Sequence, residues 1–168
     1  MEIPDAQGPA DLAALRDLSL RYAAAADARD GDSFAALFEP DGELVVPKYP
    51  DDLRPVVTRK GTAALSEVPG VLARYLLTFH QVSNHQVRVY GDDASGDVQC
   101  VAHHLSGNRG ELSGNQGEAT DTVWFIRYED IYRRRAGEWR FRQRVLHLQF
   151  VEHHAVERVG AGGVAGGP

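Results

Sequence analysis

The chain has 168 residues, 43% of them hydrophobic and 25% charged, enough apolar material to bury the core of one domain of ordinary size. Its net charge of −6 and pI of about 5.6 argue against a nucleic-acid binder, which needs a basic face. A single cysteine, Cys100, rules out a disulfide framework or a Cys-based zinc site within one chain, and the acidic N-terminus has no apolar run fit for a signal peptide or membrane span, so a cytoplasmic protein is expected.

Residues 1–8 read as a flexible N-terminus, 9–152 as one domain and 153–168 as a disordered, glycine-rich tail. From Pro9 the pattern is helical. Leu12, Leu15, Leu18, Tyr22, Ala25 and Ala26 recur at spacings of three and four, which makes one apolar face. This helix ends near Asp27–Asp30, with Gly31 as its stop, and Ser33–Phe38 forms a short second helix capped by Asp32 or Ser33. Pro40-Asp41-Gly42 reads as a turn and Glu43–Val46 as a short strand. Residues 47–59, with Pro47, Pro50 and Pro55, read as a loop or lid. A third helix opens at Gly61, breaks at Pro69-Gly70 and resumes over Val71–Leu77.

Strands are expected near 79–90, 97–106, 119–133 and 138–151. A glycine- and asparagine-rich loop spans 107–117, and Ala136-Gly137 turns the last hairpin, with Arg133-Arg134-Arg135 solvated beside it. Helices first and strands after, joined by hairpins, predict an α+β fold. Its helices pack on one face of a strongly bent antiparallel sheet, and the bend leaves a conical pocket, the default ligand site.

Strand alternation sorts the candidate residues. In Val98–His104, the face with Val98, Cys100, Ala102 and His104 is the smaller and more apolar. His104 is therefore expected in the pocket and His103 outside. His80 opens the stretch Thr78–Tyr90, where Val87 and Val89 share parity with Gln81 rather than with His80, so a bulge near Asn84 or His85 is expected. In Thr122–Asp130, Trp124, Ile126, Tyr128 and Asp130 share a face. In the last strand, Trp139, Phe141, Val145 and His147 share one face, and Arg140, Arg142, Arg144, Leu146, Leu148 and Phe150 the other. By this parity Asp130 and the strand arginines do not meet in the pocket, although a salt bridge between Asp130 and a nearby arginine is the simplest account of an acid in an apolar strand. A histidine on a rigid strand suits acid–base work near neutral pH. The adjacent pairs at 103–104 and 153–154 cannot chelate a metal from one strand.

Taken in order, the Leu-rich helix, Tyr22-x4-Asp27-x2-Asp30, Phe34-x3-Phe38-x2-Asp41-Gly42, Gly61, His80-x3-Asn84, Ala102-His103-His104 and Arg135-x-Gly137-x-Trp139-Arg140 resemble the SnoaL-like members of the nuclear transport factor 2-like superfamily. The branch nearest scytalone dehydratase and the bile-acid dehydratases is the best match, over about residues 10–152. The resemblance implies a conical barrel and a cofactor-independent dehydratase, isomerase or cyclase acting on a small apolar carbonyl compound, such as a polyketide or steroid-like intermediate. It implies Asp27, His80 and His104 as catalytic residues, with no metal, and a substrate bound among Tyr22, Tyr49, Asn84, Trp124 and Tyr128. Two tyrosines that activate the carbonyl in scytalone dehydratase align with Ala26 and Val46 here. The resemblance also implies a homodimer or higher homo-oligomer, for which the apolar excess in 139–151 would suit a self-complementary face, and no nucleic-acid or membrane partner. The Arg-x-Gly-x-Trp-Arg ending also resembles the small subunit of ring-hydroxylating dioxygenases, which leaves a non-catalytic structural or ligand-binding subunit as the alternative. Limonene epoxide hydrolase, a third relative, would require an Asp-Arg-Asp arrangement.

Overall fold

The computed structural model describes residues 8–107 and 118–157. The elements run α1 (Pro9–Ala28), α2 (Gly31–Ala36), β1 (Phe38–Lys48), β2 (Asp52–Lys60), α3 (Gly61–Ser66), α4 (Val68–Val71), a 3-10 turn (Leu72–Arg74), β3 (Leu77–Tyr90), β4 (Asp93–Gly107), β5 (Glu118–Arg135) and β6 (Glu138–Glu157). The helices pack against one mixed, open sheet of order β2-β1-β6-β5-β4-β3, as the α+β expectation required. Every pairing is antiparallel except β1 with β6, so the sheet is not purely antiparallel.

Helix α1 buries Leu15, Leu18, Tyr22, Ala25 and Ala26, the predicted face, while Leu12 at its start stays exposed. The helix stops at Arg29 in the left-handed conformation, not at Gly31. Asp30 then caps α2, its carboxylate accepting the Ser33 N–H at 3.0 Å. Gly31 instead serves a close approach. A Cβ there would lie 2.1 Å from the Ser66 carbonyl oxygen at the end of α3.

The segment 47–59 is not a loop. It turns at residues 49–51 and returns as β2, which pairs with β1 from Glu43↔Lys60 to Lys48↔Asp52. Its prolines are tolerated because β2 is an edge strand, and Pro47 faces Pro55 where the register shifts. Pro40-Asp41-Gly42 falls within β1, where its ladder to β6 skips from Phe38 to Glu43. The third helix breaks at Glu67, Pro69 sits in the first turn of α4, and the chain resumes for only one 3-10 turn before β3. Strand β6 continues through His153-His154 to Glu157, past the expected end of the domain at 152. The expected glycine-rich loop and tail fall mostly on residues outside those described.

The core is aromatic at its centre. Tyr22 lies against Phe34 (ring centroids 4.7 Å apart), Tyr128 (5.7 Å) and Phe141 (5.9 Å). Such pairs contribute about 0.5–1.5 kcal/mol each beyond their buried area. Beside them, Arg144 and Asp130 are both fully buried and paired, with Nε to Oδ1 at 2.8 Å and Nη2 to Oδ2 at 2.7 Å. This overturns the predicted parity of β6. Register shifts at Arg142 and Gln149 insert one residue each, so Trp139 and Phe141 face inward and then Arg144, Leu146 and Leu148 do. The run Arg133–Arg135 is not simply solvated either. Arg133 pairs with Asp93, Arg134 with Asp92 and Asp11, and Arg135 with the buried Glu39.

Candidate active site

The bent sheet and the helices enclose a cavity of about 300 Å³. Its wall is mostly apolar, and His80 and His104 both reach it. The last turn of α1 lies beside the start of β3, and Asp27 joins the two. Its Oδ2 accepts the His80 backbone N–H at 2.9 Å, and its Oδ1 accepts the Thr78 hydroxyl at 2.8 Å. Oδ1 also contacts His80 Nδ1 at 2.6 Å. Thr78 in turn accepts from Arg29, whose guanidinium also caps the carbonyls of Ala26 and Asp27. Burial alone would raise the Asp27 carboxyl; hydrogen bonds from the His80 ring and backbone outweigh it and hold the group below its ordinary value. An ionised Asp27 accepts from Nδ1–H, so the Nε2 of a neutral His80 carries the lone pair.

His104 projects from β4, which pairs with β5 without a register break, and its side chain is buried as the alternation predicted. Its ring lies 5.9 Å from that of His80, centroid to centroid, and edge-on to it. His104 Nδ1 lies 3.1 Å from the Thr122 carbonyl, which only accepts, so Nδ1 holds the proton and donates. Burial, and then the nearby charge of His80, push His104 down to about 4. At neutral pH it is therefore a neutral imidazole with an accepting Nε2. His103 points to the other face, with Nδ1 2.6 Å from Asp121.

Of the expected binding residues, Tyr22, Tyr49, Trp124 and Tyr128 line the cavity. Tyr49 packs on Trp124 at 4.9 Å, and Trp124 on His104 at 4.8 Å. Burial raises Tyr22 to about 12 and Tyr128 well above its ordinary value, so both remain neutral phenols. Ala26 and Val46, which align with the two tyrosines of scytalone dehydratase, also sit in the wall. Asn84 does not line it. It forms the expected bulge in β3, at φ 29°, and donates to Gln99 at 2.8 Å on the exposed side. Tyr75 escaped the sequence reading because 71–77 looked helical. It is half-buried in the cavity wall, 4.9 Å from His104, and burial raises its phenol.

Asp130 and Arg144 supply two parts of an Asp-Arg-Asp arrangement, but they lie outside the cavity wall. The rings of Tyr22, Tyr128 and Phe141 stand 4.2–4.3 Å from the guanidinium, and its third partner is Ser19 at 3.2 Å, not a second carboxylate. Burial alone would lower Arg144; its pairing with Asp130 outweighs that and raises it. Among the described residues, no three His, Cys, Asp or Glu side chains gather as a metal ion would require. No described helix is long and apolar enough to cross a membrane.

A helical layer on a bent sheet, with histidines and an aspartate beside one apolar cavity, is the frame of the nuclear transport factor 2-like proteins. The SnoaL-like domain model matches residues 9–145, and the chain belongs to that family. A LinA type 2 hexachlorocyclohexane dehydrochlorinase has the same fold at TM-score 0.72 and 20% identity, covering 91% of this chain and 95% of the other. A candidate scytalone dehydratase from Novosphingobium aromaticivorans follows at 0.68 and 19%, covering 91% and 94%. LinA type 3 from Novosphingobium barchaimii gives 0.64 and 22%, covering 95% and 96%. No curated protein matches the sequence. At these identities the structural likeness carries the fold.

Proposed function

We propose that this protein is a cofactor-independent acid–base enzyme of the dehydratase, isomerase or cyclase kind, acting on a small, largely apolar carbonyl compound. The observation that carries this reading is the 2.6 Å contact between Asp27 and His80 at the wall of the cavity. In the proposed cycle, His80 Nε2 removes a proton α to the substrate carbonyl. The C–H electron pair moves into an enolate, and the imidazolium that forms is stabilised by the Asp27 carboxylate. For a dehydration, the enolate collapses to the C=C bond as the β C–O bond breaks, and His80 returns its proton to the departing hydroxyl, which leaves as water. His104, neutral and accepting at Nε2, orients a substrate hydroxyl. It is not the acid, because it carries no second proton to give at pH 7. Tyr49, which packs on Trp124, and Tyr75, which packs on His104, supply phenols that could polarise the carbonyl in place of the two tyrosines missing at Ala26 and Val46. The structural relatives include proteins named as a dehydrochlorinase and a candidate dehydratase, both elimination activities, which favours a lyase within the group.

The test needs no knowledge of the natural substrate. The protein is incubated in D2O with 2-tetralone and a panel of apolar β-hydroxy ketones, and deuterium entry at the α-carbon is followed by mass spectrometry. Wild type is expected to accelerate exchange. His80→Asn abolishes the acceleration, and Asp27→Asn lowers it by about 10²–10⁴. Because Asp27 also ties α1 to β3, the thermal midpoint of each variant is measured alongside. Exchange no faster than in buffer for every ketone, or undiminished in His80→Asn, overturns the reading.

A further inference from the structure

The cavity wall is mostly apolar, and three cationic side chains stand in it. Lys48, Arg59 and Arg74 all line it, and no aspartate or glutamate does. Lys48 pairs with Asp51 at 3.1 Å. The two arginines are different. Among the described residues neither Arg59 nor Arg74 has a carboxylate within ion-pair distance. Arg74 donates its Nε to the Val71 carbonyl at 3.1 Å and lies over the Tyr75 ring at 5.8 Å. Among the described residues Arg16, Arg29, Arg88 and Arg142 also form no ion pair, but none of them lines the cavity. Arg54, Arg127, Arg133, Arg134, Arg135, Arg140 and Arg144 all pair with acids, in a chain whose net charge is −6.

The two arginines come from different elements that both contribute to the cavity wall. Arg59 stands on the edge strand β2, two residues beyond Val57 on the same face, and both line the cavity. Arg74 closes the 3-10 turn that leads into β3. His80 and His104 lie on β3 and β4, on the far side of the sheet order from β2. A ligand in this cavity thus has the two histidines, apolar surface and the two guanidinium groups within one wall. Guanidinium groups bind carboxylates in forked, charge-assisted hydrogen bonds.

We infer that the substrate carries a carboxylate: Arg59 and Arg74 form a carboxylate subsite in the cavity wall, which holds an apolar acid with its reacting carbon at His80. The inference rests on the cavity being the substrate pocket, and it narrows the substrate class from apolar carbonyl compounds to apolar oxo-acids.

The test uses two probes of one shape, 1-naphthylacetate and 1-naphthylacetamide, which differ in charge alone. Binding to the whole protein is measured by isothermal titration calorimetry. Wild type is expected to bind the acid at least about tenfold tighter than the amide. In the double variant R59Q/R74Q that preference disappears while amide binding is unchanged. R59K/R74K retains part of the preference, and His103→Ala, on the opposite face of the sheet, retains all of it. Amide binding equal to acid binding in wild type, or an acid preference that survives R59Q/R74Q, overturns the subsite and leaves the acid–base reading standing. Binding of neither probe overturns both, because the cavity then takes no apolar ligand of this size.

Discussion

His104 ties the protonation chemistry of the cavity to the stability of the fold. In the unfolded chain its imidazole takes a proton near its ordinary value of 6.5, whereas in the folded protein burial and His80 delay this to about 4. Between those values the unfolded state binds more protons, so stability falls as pH falls through the window and is fully regained above about 6.5. A gap of this size corresponds to about 3 kcal/mol, or roughly 6–12 °C in thermal midpoint for a domain of about 150 residues. Other histidines and carboxylates also titrate as the solution is acidified, so the informative quantity is a difference. His104→Gln keeps an amide donor for the Thr122 carbonyl and removes the titration. Urea unfolding of wild type and His104→Gln at several pH values from about 7 to about 4 should give curves that converge as pH falls. The wild-type advantage shrinks by up to about 3 kcal/mol, and the His104 ring resonance stays in its neutral position until near pH 4. Parallel stability curves, or a His104 resonance that titrates near 6.5, would refute the argument that burial governs this ring.

Three further outcomes are expected. Arg144→Met leaves Asp130 buried without its partner and should cost about 3–5 kcal/mol in urea unfolding, whereas R144M/D130L recovers most of the loss; a single variant as stable as wild type would contradict the buried pair. Gly31→Ala drives a methyl group onto the Ser66 carbonyl and should lower stability by about 1–3 kcal/mol, read as a lower thermal midpoint with unchanged helix content. His103→Ala, on the opposite face from the cavity, should change α-deuteration of ketones less than about twofold, against the large loss expected for His80→Asn.

Strand alternation read the site well where ladders were unbroken and failed where they were not. His104 could be placed inward because β4 pairs with β5 in continuous register from Asp93 to Gly107. Arg144 was rightly grouped with Leu146 and Leu148 but wrongly joined to Arg140 and Arg142 and set apart from Trp139 and Phe141, because β6 inserts one residue at Arg142. The trace of this was visible. A single parity containing Arg140 and Arg142 and then Leu146 and Leu148 is incompatible with one side of a straight strand, and a bulge between the two sets resolves it. Strand β2 was hidden by its prolines, which an edge strand accepts, and with it went Arg59, whose alternation with Val57 would have placed it at the cavity. The Asp27–His80 contact was legible only through resemblance. It joins residues 53 apart in sequence, and no local pattern encodes a meeting between a helix end and a strand start.

The bulge at Asn84 has a meaning outside catalysis. Strand β3 lies at the open edge of the sheet and is 14 residues long, ample length to recruit a strand from another molecule. Regular ladders propagate only along an even pleat, and at Asn84 the pleat is interrupted by a residue at φ 29°. An incoming strand could match Leu77–Ser83 or His85–Tyr90 but not both in one register. The kink that turns Asn84 away from the cavity thereby divides the exposed edge into two short pieces, each a poor template for the sheet-to-sheet growth that leads to aggregation.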